Sequence, residues 1–446
     1  MSEHAETLDD AVLSVDLSTP DETRVLLASL RPPEVARLLE SYPPKLRHLI
    51  WGLVDEETSA QVLQHLHEDV LAELLSSMDT EQLVAAADEL ETDDFADVLQ
   101  QLPTTLTQEV LDALDQSNRA RLEAVLSYPQ DTAGGMMNTD TITVRPRHTA
   151  ELVMRYLRLR KELPPLTDAL FVVNDEDEYV GSLPFASLLT ADPSVNVREI
   201  MLTQAEAIEV TANDTEVARL FSELDLVSAA VVDEHGVLLG RITIDDVVDV
   251  IIEDADDAAL AHAGLDSDED TFAPVSKSIW RRGLWLGINL LTAFIAAAVI
   301  NVFEETIAQV VALAVLMPIV ASMGGIAGTQ TLTLVIRGIA LGQVGRHNLR
   351  YLLSREFLLA ALNGLFWAAL VAIGAALVFQ DALLGGILGV AMIVNILVAA
   401  LSGTLLPSIL RRLGIDPAIA GGVVLTTITD VTGFFVFLGL AAYFYA

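Results

Sequence analysis

Asp430 is the residue whose chemistry most needs explaining. It ends Thr426-Thr427-Ile428-Thr429-Asp430, inside an apolar stretch of about 418–446. A carboxylate at membrane depth costs roughly 2.5–3.5 kcal/mol on insertion scales, so it should face a cavity, a partner or an ion. Gly422, Thr426 and Asp430 recur every four residues and share one helix face. A small residue, a hydroxyl and a carboxylate in line could guide a cation. The competing reading is a neutral carboxyl hydrogen-bonded within a helix bundle. Arg337, the base inside an apolar stretch, lies near an end of its stretch, whereas Asp430 is mid-stretch.

A second chemical segment runs from Met317 to Thr331 and contains Pro318, Gly324-Gly325, Gly328 and Thr329-Gln330-Thr331. Pro318 frees a backbone carbonyl within the stretch. Gly324 and Gly328 are spaced for close helix approach. Gln330 and Thr331 add polar atoms. Together they suit a pore wall on which oxygens hold or replace hydration water. Tight packing alone is the alternative. A phosphate loop is excluded because no Lys follows the glycines. Gly385 and Gly389 repeat the small-residue spacing, with packing as their default role.

A third group is acidic. Asp246, Asp249 and Glu253 fall on one face of an expected helix, with Val247, Val250 and Ile251 on another. Like charges at this spacing repel. A hard divalent cation with oxygen ligands relieves that repulsion. Asp93 and Asp97 repeat the four-residue spacing, and Asp214, Glu216 and Asp225 add further acids. The alternative is a solvated acidic surface of the kind that keeps proteins soluble in high salt. On that reading the source is salt-loving. His67-Glu68-Asp69-Val70-Leu71 does not match the zinc pattern of two His four apart. No nucleophile–base–acid set is present, so catalysis is not expected.

Composition tells which elements carry these groups. The 446 residues hold 63 acids, 25 bases and no Cys, a net charge of −38, yet mean hydropathy is +0.46. The contrast resolves at Lys277. From there to the end, nine bases face six acids; the preceding part keeps 16 of the 25 bases and 57 of the 63 acids. An acidic soluble part excludes non-specific nucleic-acid binding, and the lack of Cys excludes disulfides and thiolate metal sites. Five apolar stretches follow, about 283–303, 308–341, 352–379, 383–409 and 418–446. Each can cross a hydrocarbon core of ~30 Å, and the lipid bilayer is thus an expected partner. The bases sit before the first stretch (Lys277, Arg281, Arg282), near the second-to-third loop (Arg337, Arg346, Arg350, Arg355) and in the fourth-to-fifth (Arg411, Arg412). That bias places the N-terminus in the cytoplasm and the C-terminus outside. The start, Met1-Ser2-Glu3-His4-Ala5-Glu6, does not read as a signal peptide.

The soluble part divides in two. Residues 25–127 read as stacked short amphipathic helices, with Asp79 and Thr92 as expected N-caps. Residues 138–253 contain a repeat: Phe171–Gly181 matches Ala230–Gly240 at a constant offset of 59. A strand and a helix precede each copy. This resembles a tandem pair of cystathionine-β-synthase-type (CBS) domains, which implies an adenine-nucleotide cleft. Thr243 and Asp246 match that family's ribose-contacting position. The first copy lacks the Asp, so the resemblance implies at most one full site, with ATP as a possible cofactor.

The whole chain from about residue 25 resembles the MgtE family of magnesium channels and transporters. The motifs are Tyr128 through Met137, Leu316-Met317-Pro318 through Gln330, and Thr427-Ile428-Thr429-Asp430. The resemblance implies a multidomain membrane protein: an α-superhelical N domain, an α/β tandem CBS pair and an all-α five-helix transmembrane domain. The expected boundaries are 1–24 for a disordered acidic N-terminus and 25–130 for the N domain. CBS domains at 138–203 and 204–246, a connecting "plug" helix at 247–276 and a transmembrane domain at 277–446 follow. It further implies a homodimer with a pore between subunits, Asp430 holding hydrated Mg2+, and Asp93 and Asp97 as N-domain ligands. Asp225, Asp246, Asp249, Asp254 and Asp257 fall at regulatory Mg2+ positions. Ile326 stands where the family usually has Asn. The expected function is Mg2+ uptake across the plasma membrane, gated by intracellular Mg2+. Transport of Co2+ or Zn2+, and a non-conducting membrane-anchored sensor, are the alternatives.

Overall fold

The computed structural model describes residues 19–445 apart from 161, 204, 262–264, 266–269, 341, 342 and 346. The described residues fall into two compact units, the first within 1–256 and 268–274, the second within 257–267 and 275–446. Residues 1–18 of the expected disordered N-terminus lie outside the described residues. Helix Pro20–Ser29 starts before the expected boundary at 25, with Pro20 in its first turn beside Asp21 and Glu22 and with Leu27 buried. Proline and acids suit a helix start, where amide groups lack partners and the dipole is positive.

Short helices then follow one another from Pro32–Glu40 to Gln116–Leu126. Their apolar faces, including Leu38, Leu39, Leu74, Leu75, Phe95 and Leu99, close one continuous core. Asp79 caps helix Thr80–Glu89 by accepting from the Gln82 amide at 2.9 Å. At the next helix start the expected cap is displaced: Thr92 is the first helical residue of Thr92–Gln100, and Glu91 occupies the cap position. The Glu91 carboxylate is engaged elsewhere, as described below.

The repeat forms two similar three-stranded sheets. In one, β1 (Thr143–Val144) pairs parallel with β2 (Ala169–Val173), which pairs antiparallel with β3 (Tyr179–Pro184). In the other, β4 (Ala207–Glu209), β5 (Ser228–Val232) and β6 (Leu238–Thr243) repeat that order. Both antiparallel pairs carry an irregularity at the matching Val172/Val173 and Val231/Val232 positions, so the repeat extends to backbone detail. From β6 the chain passes directly into helix Ile244–Ala261. The expected helix to 276 is not continuous: residues 262–264 and 266–269 lie outside the described residues, and 265 and 270–274 are not helical. Pro274 immediately precedes the next helix, and a residue before proline is disfavoured in helical backbone.

Among the described residues the second unit contains five helices long and apolar enough to cross a membrane: 278–302 within Val275–Val302, then Ala312–Ala340, Leu349–Phe379, Ala382–Arg412 and Pro417–Tyr445. The expected long second stretch is interrupted. A separate short helix, Glu304–Gln309, ends at Val310, where the backbone leaves helical values, and the second span begins at Ala312. Pro318 lies inside that span. Arg350, Arg355, Arg411 and Arg412, expected in or near loops, lie within helical ends of the third and fourth spans. Arg346 is outside the described residues. The fourth span is the centre of this unit, packed on the second, third and fifth. Small residues permit that: a Cβ on Gly385 would lie 2.4 Å from the Ala372 carbonyl oxygen, so its role is packing.

Candidate functional site

The first unit brings acids together between helix Thr92–Gln100 and helix Ile244–Ala261. Asp93 is 5% exposed. Its Oδ1 accepts from the Asp94 amide at 3.1 Å and from Asn138 Nδ2 at 3.3 Å. Asn138 Nδ2 also donates to Glu91 Oε2 at 2.5 Å. Behind them Arg241, almost wholly buried, donates to the Pro165 carbonyl at 2.9 Å and to Thr167 Oγ1 at 3.3 Å. Its guanidinium lies 3.9 Å from Glu91 Oε2.

Burial raises the Asp93 carboxyl well above its ordinary range, and Asp246, Asp94 and Glu91 raise it further. Asp246 is pushed up to about 8, by burial first and then by Asp245 and Asp94. Asp94 rises to about 7 through burial, Glu91, Asp245 and Asp249. Asp97 also rises to about 7, through burial and the charges of Asp94, Glu68 and Glu253. Asp249 is raised chiefly by burial, with His65 opposing. These carboxyls are therefore protonated more easily than a solvated Asp, and a bound cation would displace such protons. The donors are carboxylate oxygens, the set that suits a hard divalent ion. Among the described residues no three His, Asp or Glu are gathered as a closed ligand set.

The expected acids divide accordingly. Asp246 acts on Asp93, Asp249 acts on Asp94, and Asp94 and Glu253 act on Asp97. Asp214 instead accepts from the Thr215 amide at 2.5 Å, and Glu216 pairs with Arg219 at 3.6 Å, both within their own helix start. Asp225 closes that helix in left-handed backbone, φ 51°, a conformation Asp tolerates better than most residues. Asp254 and Asp257 are exposed further along helix Ile244–Ala261. Sequence reading missed Asp94 and Asp245, since adjacent residues on a helix point to different sides. Thr243 is buried; its hydroxyl contacts the Asp245 and Asp246 carboxylates.

In the second unit, an open cavity of about 750 Å³ lies along the second and fifth spans. Gly325, Gln330, Thr426 and Asp430, four of the residues read from the sequence as pore candidates, line it with Ser322, Ile326, Thr329 and Thr333. Ser322, Ile326, Thr329 and Thr333 recur at three- and four-residue intervals, a helical face that the focus on glycines obscured. The Thr426 hydroxyl donates to the Gly422 carbonyl at 2.8 Å, which leaves its oxygen able to accept.

Four expected pore residues do not line the cavity. Gly324 and Gly328 are packing positions: a Cβ there would lie 2.2 Å from Asn395 Nδ2 and 2.9 Å from Leu425 Cδ1, respectively. Pro318 and Gly422 are also absent from its lining. Thr331 turns away from it and donates to the buried Glu356 at 3.2 Å; Glu356 in turn pairs with Arg355 at 2.6 Å.

The fold and site define a multi-pass membrane protein with a helical N domain and a CBS pair. Residues 317–440 match a family described as "Divalent cation transporter", 30–131 match the "MgtE intracellular N domain", and 197–253 match the CBS domain. The chain is 30% identical over 446 residues to the magnesium transporter MgtE of Bacillus subtilis, covering 98% of each. It is 31% identical over 423 residues to that of Thermus thermophilus, covering 94% of each. A crystal structure of the cytosolic domain of the Mg2+ channel MgtE in complex with ATP is 33% identical, with 51% of this chain and 93% of that one covered and a TM-score of 0.47. The chain belongs to the MgtE family.

Proposed function

We propose that this protein conducts Mg2+ into the cell. The observation that carries the reading is Asp430 on a cavity that also presents the hydroxyls of Ser322, Thr329, Thr333 and Thr426 and the Gln330 amide, beside Ala321, Gly325 and Ile326. Mg2+ sheds water reluctantly and keeps several waters when bound. A roomy carboxylate-bearing groove suits capture of the hydrated ion. The groove is open on one side of the chain, and a second copy in a homodimer closes it into a pore. The relatives named above as magnesium transporters support the same cargo over Co2+ or Zn2+.

The cytoplasmic acids supply regulation. High internal Mg2+ bridges the ionised carboxylates of Asp93, Asp94, Asp97, Asp246 and Asp249 and favours the closed state; low Mg2+ leaves the ionised fraction to repel, which favours opening. The Lys and Arg distribution supports a cytoplasmic N-terminus and an external C-terminus in the plasma membrane. Thr243 and Asp246 remain a candidate ATP ribose contact, in competition with the acidic cluster that also uses Asp246.

The test is Mg2+ flux into proteoliposomes, in high salt and with low internal Mg2+, for wild type and Asp430→Ala. We expect the variant, folded and inserted, to lose at least tenfold. Equal flux in both removes Asp430 from the path, and absence of flux in both favours the anchored sensor.

A further inference from the structure

The second, fourth and fifth spans meet at one side chain. Asn395, on the fourth span, has no exposed surface. Its Nδ2 donates to the Val320 carbonyl on the second span at 2.9 Å. The amide sits in a notch left by two glycines. A Cβ on Gly324 of the second span would lie 2.2 Å from Nδ2, and one on Gly433 of the fifth span 2.7 Å. A larger residue at either position displaces the amide.

Packing alone does not account for this residue. Leucine has the same branched skeleton, though bulkier, without polar atoms, whereas Asn395 Oδ1 is buried with no hydrogen-bond partner among the described residues. Stranding an acceptor is unfavourable, so the bond that Nδ2 makes must matter. That bond fixes the backbone directly behind the groove. Val320 precedes the lining residues Ala321 and Ser322, and Gly324 precedes Gly325. Gly433 follows Asp430 by three residues, about one helical turn.

We propose that Asn395 is a positioning residue that sets the spacing between the polar face of the second span and the Asp430 helix. It touches no ion itself. It acts by holding both walls of the groove from behind, at a separation matched to a hydrated divalent cation. The inference rests on the transport reading above.

The test uses the full chain in proteoliposomes, with Mg2+ flux measured against external Mg2+ for wild type, Asn395→Leu and Gly433→Ala. Leucine fills the notch but cannot donate; the alanine Cβ pushes the amide from the other side. We expect the half-saturating Mg2+ concentration to rise at least fivefold in both. Loss of folded protein lowers maximal flux without moving half-saturation, so that readout separates positioning from mere stability. Unchanged half-saturation in conducting vesicles overturns the proposal. If the Leu variant does not fold, Gly433→Ala alone decides it by the same criterion. Wild-type vesicles that pass no Mg2+ sink the transport reading itself, a distinct result.

Discussion

The fully buried Arg47 guanidinium donates to the Asp270 carboxylate at 2.9 Å, across 223 positions of sequence. Its other nitrogens reach Glu73 at 2.6 Å and the Leu39 carbonyl at 3.1 Å. The contact ties helix Pro44–Trp51 to the segment that precedes the first span. Removing one member of a buried pair leaves the other charge uncompensated, at a cost of about 3–5 kcal/mol. Arg47→Ala should lower unfolding stability by about that amount. Asp270→Asn, which keeps an acceptor, should cost less. Chemical unfolding followed by helical signal measures both, and an unchanged Arg47→Ala midpoint would show the pair to be inert.

Stability should also follow pH in an unusual direction. Asp94 and Asp97 titrate near 7 and Asp246 near 8 when folded, against about 3.9 for a free Asp. Their folded values are raised, so the folded state holds these protons more tightly. Their contribution is complete below about pH 4 and is lost as pH rises through 7 and 8. In a chelator, the melting temperature should fall between pH 5 and 8. Mg2+ added at pH 8 should restore it, because the cation takes the place of the protons. A flat profile without Mg2+ contradicts the buried acidic cluster.

Neutralising part of that cluster should loosen regulation. Asp246→Asn with Asp249→Asn is expected to require at least tenfold more internal Mg2+ for half-inhibition of flux, with conduction at low internal Mg2+ retained. Inhibition at the wild-type concentration would remove both residues from the regulatory site.

The net charge of −38 makes a further claim testable. At about 1 M salt the screening length is about 3 Å, too short for exposed like charges to repel strongly. If the source is salt-loving, solubility and melting temperature should both rise from low to molar KCl. No gain in molar KCl would return the acids to a local, cation-binding role.

The spans, the tandem repeat and the residues richest in chemistry were all legible in the order of amino acids alone. Apolar length, alternation and acidic spacing are local properties, and local properties survive in one dimension. Asp430 stood out because a carboxylate in hydrocarbon is costly wherever its neighbours lie. Which surface each residue meets came only from packing. Gly324 and Gly325 are adjacent in sequence, yet one receives Asn395 and the other lines the cavity, because a helix turns about 100° per residue. Asp94 and Asp245 joined the acidic cluster only when two helices far apart in sequence were packed together. Arg47 found Asp270, and Asn395 found Val320, in the same way. Buried polar groups must be satisfied, and long-range packing chooses the partner that satisfies them.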